Sequence, residues 1–93
     1  MVGFAHYPSL KGRPVVISGG ASGIGAALVQ HFAAQGACVG FVDIDEAQGR
    51  KLADDLVSAG HIVQFVPCDV TDMAAYQQAI AGFAAAHGDA LVL

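Results

Sequence analysis

An α/β fold built on a doubly wound parallel sheet is predicted by three features of this sequence. Short β-branched runs alternate with helical stretches of roughly 10–15 residues, the pattern of βαβ units. A glycine (Gly36, Gly60, Gly88) stands just past each of three helical stretches. Hydrophobic types make up 55% of the chain and charged ones 13%, about half the usual ~25%, which suits strands buried on both faces.

The elements follow in order. Pro14-Val-Val-Ile-Ser18 is a short β-branched run that stops at two glycines. Ile24, Ala27, Leu28, His31, Phe32 and Gln35 then recur at three- and four-residue spacing, predicting a first helix that ends at Gly36. Cys38–Asp43 reads as a second strand ending in an acid. Asp45 with Gln48 three residues on resembles a capping box, and the helix it opens is expected to bury Leu52, Leu56 and Ala59. Gly49 inside that helix costs roughly 1 kcal/mol relative to Ala, so packing must hold it. His61–Val66 is the third strand, closed by Pro67; Thr71 or Asp72 caps a third helix striped by Tyr76, Ile80, Phe83, Ala84 and His87. Ala90–Leu93 begins a fourth strand. Right-handed crossovers place the first two helices on one face. Strand order 3-2-1-4 then puts the third helix on the other.

Ninety-three residues allow one small domain, below the usual mode of about 100–150 residues. It divides into an N-terminal arm, 1–12, and the alternating part, 13–93. Four basic against eight acidic residues give a net charge of −4 and no basic stripe for nucleic acid. Residues 14–42 lack Asp, Glu, Lys and Arg, but glycines and polar residues dilute the run too far for a membrane span. Met1–Pro14 has no charged start followed by an apolar core, so no signal peptide is expected. Cys38 and Cys68 make neither a disulfide framework nor a zinc site and are expected as buried free thiols in a reducing cytoplasm. A neighbouring carboxylate disfavours a Cys68 thiolate. His6, His31, His61 and His87 show no metal-ligand spacing.

The segment Ser18-Gly-Gly-Ala-Ser-Gly-Ile-Gly25 lies between the first strand and the first helix. Amide groups at a helix N-terminus, with the helix dipole behind them, form an anion site. Glycines let the backbone approach a phosphate without a Cβ in the way. No Lys or Arg lies in the loop, so backbone donors and the Ser22 hydroxyl would hold a pyrophosphate. A P-loop is excluded, because Ala26 and Ala27 follow Gly25 in place of Lys and Ser or Thr. The G-x-G-x-x-G pattern half matches at Gly23-Ile24-Gly25, with Leu28 in its third glycine position. Asp43 falls 18 residues after Gly25, near the ~20 expected of an acid that binds an adenosine ribose. A carboxylate there accepts from both ribose hydroxyls and repels a 2′-phosphate, which favours NAD over NADP.

The spacing that does match is T-G-x-x-x-G-x-G, with Ser18 in place of Thr. With Asp43 and Cys68-Asp69-Val70-Thr71-Asp72, it resembles the short-chain dehydrogenase/reductase family from about Leu10 to Leu93. The resemblance implies a Rossmann-like domain that binds NAD. Gly19, Ser22, Gly23, Ile24 and Gly25 would serve the pyrophosphate side and Asp43 the ribose. Asp69 would accept from the adenine amino group, and the Val70 amide would donate to the ring. Ile44 stands where NADP-preferring relatives often carry Arg. The implied activity is oxidation of a hydroxyl or reduction of a carbonyl, in a family that is usually homo-oligomeric.

The family's catalytic Ser, its Y-x-x-x-K pair and its N-N-A-G segment lie beyond the fourth strand and have no counterpart here. Tyr7-Pro-Ser-Leu-Lys11 matches Y-x-x-x-K in letters only, since Pro8 argues against a helix there. The expectation is therefore a truncated domain that is inactive alone, marginally stable, and open along its fourth strand. Two rivals stand beside it: a non-catalytic nucleotide-binding or interaction module, and a gene remnant that binds nothing.

Overall fold

A computed structural model of the protein describes residues 11–21, 23–88 and 90–93. The elements are β1 (Pro14–Ser18), α1 (Gly23–Ala34), β2 (Cys38–Asp43), α2 (Glu46–Ser58), β3 (Ile62–Pro67), α3 (Met73–His87) and β4 (Leu91–Val92). The four strands form one parallel sheet in the order β3-β2-β1-β4. This is the Rossmann-like arrangement expected from the alternation.

Side chains alternate across the sheet and define two cores. On one face Val15, Ile17, Val39 and Phe41 meet Val29, Phe32 and Ala33 of α1 and Ala53 of α2, with Leu52, Leu56 and Phe65 packed against them. The Phe41 and Phe65 rings lie 5.1 Å apart, centre to centre. On the other face Val16 and Cys38 meet Phe83 of α3, with Ile80 and Ala90 alongside. The first two helices thus share a face and the third takes the other, as the crossover rule requires. Caps follow the sequence: Asp45 accepts from the Gln48 amide and Asp72 from the Ala75 amide. Gly60, just past α2, has φ +95°, the left-handed region that ends many helices.

Several expectations need correction. In α1 the buried residues are Val29, Phe32 and Ala33, while Ile24 and Ala27 are exposed. The run Ala26-Ala-Leu-Val29 is apolar at every position, so its spacing does not fix which residues face inward. In α2 the buried residues are Gly49 and Ala53; Leu52 and Leu56 are half-buried, and Ala59 is the exposed C-cap. Gly49 is not a weakness offset elsewhere, because a Cβ there would overlap the Phe65 ring. Cys38 is buried, but Cys68 is only half-buried. The third strand starts at Ile62 and includes Pro67, and the fourth is Leu91–Val92. Leu91 and Val92 of β4 and the following Leu93 are 41–44% exposed.

Candidate functional site

β1, β2 and β3 all end on the same side of the sheet, at Ser18, Asp43 and Pro67. A crevice beyond the carboxyl ends of the strands is where open α/β sheets bind ligands, at the point where successive helices go to opposite faces. Here the strand order reverses between β1 and β4, and the loops after β1, β2 and β3 all reach the same carboxyl edge. An open cleft of about 140 Å³ occupies this edge, lined by Gly19, Asp43, Ile44, Cys68, Asp69 and Val70.

The loop after β1 is shaped by its backbone. Gly19 has φ +69°, a conformation that a side chain would strain. Its amide donates to the Val42 carbonyl at 2.9 Å, and the Gly20 amide donates to the same oxygen at 3.2 Å. The Ala21 amide donates to Asp43 Oδ2 at 3.1 Å. Three successive amides are therefore taken up by the end of β2. Gly19 contributes the turn, not an amide aimed at a ligand. Among the described residues, the donors that remain for an anion are the amides of Gly23, Ile24 and Gly25 in the first turn of α1, where the helix supplies no acceptor. A Cβ on Gly25 would overlap the Gly19 carbonyl, so only glycine allows the helix to start this close to the loop.

Electrostatics single out the same helix. Asp45 and Glu46 occupy the start of α2, and Asp72 caps α3. No acid lies in the first turn of α1, so its positive end is not offset by a carboxylate of its own.

Asp43 is half-buried and uses both oxygens: Oδ2 takes the Ala21 amide and Oδ1 takes the Asp45 amide at 2.9 Å. Asp69 is exposed. Its Oδ1 accepts the Thr71 hydroxyl at 2.6 Å and the Thr71 amide at 2.9 Å. Those two bonds, the hydroxyl first, hold its carboxyl below the ordinary carboxylate range. They leave Oδ2 for a further donor. Beside them Ile44 and Val70 are exposed apolar walls, 74% and 38% exposed.

Five of the expected site residues line the cleft: Gly19, Asp43, Ile44, Asp69 and Val70. Gly23, Ile24 and Gly25 open α1 at the same edge, with Ile24 83% exposed. Ser22 and Tyr7 lie outside the described residues. Cys68 also lines the cleft, held there by its amide bond to the Asp43 carbonyl at 3.0 Å. Its place in a strand-end loop, directly before Asp69, was the available signal. Among the described residues no group of three His, Cys, Asp or Glu side chains could hold a metal ion. No described helix is long and apolar enough to cross a membrane.

The sequence model of the short chain dehydrogenase family matches residues 13–93. This chain belongs to that family. D-xylose 1-dehydrogenase of Caulobacter vibrioides is 44% identical over 77 residues, which cover 83% of this chain and 31% of that protein. A metagenomic short-chain oxidoreductase solved in complex with NADP superposes with a TM-score of 0.81 at 30% identity, over 90% of this chain and 38% of that one. A metagenomic blue fluorescent protein in complex with NADPH gives 0.78 at 29% identity, over 85% of this chain and 33% of that one. The chain spans about a third of the length of these relatives. Short-chain dehydrogenases bind nicotinamide dinucleotides, and these solved neighbours carry the phosphorylated forms.

Proposed function

We propose that this chain is the dinucleotide-binding portion of an NAD-dependent short-chain dehydrogenase. Its substrates would be a hydroxyl to oxidise or a carbonyl to reduce. The observation that carries the NAD preference is the cleft itself. Asp43 and Asp69 are its charged residues, and Ile44 follows Asp43. None of the chain's four Lys and Arg residues lines it. Lys11 and Arg13 precede β1 at the opposite edge, while Arg50 and Lys51 face Glu46 and Asp55 on α2. A 2′-phosphate would meet carboxylate and no cation, whereas a free 2′-hydroxyl can donate to Asp43.

The residues present suit the cofactor. The amides of Gly23, Ile24 and Gly25 suit the pyrophosphate, with Ser22 beside them in sequence. Asp43 suits the ribose, Asp69 Oδ2 the adenine amino group, and the Val70 amide the ring. When bound, the dinucleotide supplies hydride exchange at its nicotinamide, while these residues anchor its adenosine half. Polarising the alcohol or carbonyl needs an acid–base group, and among the described residues that line the cleft there is no Tyr, Lys or His. The 93 residues are therefore expected to bind without turnover.

NADH and NADPH titrations, followed by nicotinamide fluorescence, test the reading. NADH binding that is tighter than NADPH binding by tenfold or more, about 1.4 kcal/mol, supports it. Equal binding, or tighter NADPH binding, refutes the preference. No binding of either refutes the function.

A further inference from the structure

We infer that Asp43 is a positioning residue for phosphate, quite apart from its contact with ribose. The inference rests on the dinucleotide reading. Its carboxylate lies at a junction of two loops. Oδ2 accepts the Ala21 amide from the phosphate loop at 3.1 Å, and Oδ1 accepts the Asp45 amide that leads into α2 at 2.9 Å. The residue before it, Val42, takes the amides of Gly19 and Gly20.

The last two residues of β2 thus bind the whole turn 19–21, which carries the chain from β1 to the start of α1. Gly25 closes onto the Gly19 carbonyl from the helix side. The amides of residues 23–25 hold their direction only while that turn is fixed. Among the described residues, the link from Asp43 is the one made by a side chain, so a substitution can remove it.

An ionised carboxylate has about four lone-pair sites. Two serve backbone amides here, and two remain for the ribose hydroxyls, so one side chain can do both tasks. Asn cannot. It keeps one oxygen, and its NH2 group would face one of the two amide donors.

Charge and positioning predict opposite signs for a ligand without ribose hydroxyls. Removing a negative charge beside a phosphate site should by Coulomb's law tighten phosphate binding. Loss of the loop anchor should weaken it. The probe is 2′,3′-dideoxyadenosine 5′-diphosphate, compared with ADP, on the native chain and on Asp43→Asn. Asp43→Ala is the second variant, and thermal unfolding checks that each is folded.

The expected result is dideoxy-ADP binding weakened about five- to tenfold, the loss of a charge-assisted hydrogen bond. ADP should lose more, and amide exchange at Ala21 should accelerate while thermal unfolding stays cooperative. Dideoxy-ADP binding that is unchanged or tighter, with only ADP weakened, would overturn the inference and leave the dinucleotide reading intact. If the native chain binds neither nucleotide, the dinucleotide reading fails. The anchor is then judged on exchange alone: an Ala21 amide equally protected in Asp43→Asn refutes it.

Discussion

The two walls of the cleft are made by different means. On the side proposed for phosphate, the turn 19–21 and the first turn of α1 are backbone architecture: a positive-φ Gly19, amides absorbed by β2, and a Gly25 that admits no Cβ. On the side proposed for adenosine, residues 68–72 are shaped by side chains: Asp69 is fixed by Thr71, and Asp72 caps α3. Sterically determined structure tolerates almost no substitution. Side-chain hydrogen bonds on an exposed loop degrade by smaller steps. Binding should therefore be lost abruptly by changes on the first wall and gradually by changes on the second.

The largest effect is expected from Gly25→Ala. Its methyl would overlap backbone, which cannot rotate away, so the turn and helix start must separate. NADH binding should fall below detection, and stability in urea should drop by about 2–3 kcal/mol. A variant that binds like the native chain would break the contrast between the walls.

Ile44→Arg comes next. A guanidinium at the mouth of the cleft supplies the missing counter-charge, so NADPH should gain roughly tenfold relative to NADH. Paired titrations measure this ratio. No change would mean that residue 44 does not face the 2′ position.

Thr71→Val should have the smallest effect. It removes the hydroxyl bond, the larger cause of the low Asp69 pKa, so the carboxyl should titrate closer to its ordinary range. A depressed native-state pKa adds stability that is complete above the unfolded-state value and is lost as pH falls through the native one. The adenine contact proposed for Asp69 should accordingly fail at higher pH in the variant. NMR titration of the Asp69 carboxyl carbon reads the change directly; an unmoved midpoint would sever the Thr71 link.

The contrast also explains what the sequence made legible. The helix caps at Asp45 and Asp72 and the positions of Gly19, Gly25 and Asp43 follow from local chemistry that spacing reports, whereas Asp69 is marked by the family resemblance and the strand order by the doubly wound pattern. The inward face of α1 was not legible, because Ala26–Val29 is apolar throughout and the sheet decides which side is buried. Gly49 is hidden for a related reason. Helix propensity is local, whereas the Phe65 ring that requires a glycine there comes from β3. Ala at 49 should therefore destabilise the chain by about 1–3 kcal/mol, although propensity alone favours it. The use of the Gly19–Ala21 amides within the fold was likewise hidden, since their acceptors belong to another strand. Cys68 was seen as a thiol but not as part of the cleft wall.

Backbone amide chemical shifts, followed while NADH is titrated into the chain, test the placement of the dinucleotide most directly. Shifts should concentrate at Gly23–Gly25, at Asp43 and Ile44, and at Asp69 and Val70, while Gly36 and His61 at the far edge of the sheet stay still. Saturable binding that moves the far edge and leaves residues 23–25 untouched would contradict it.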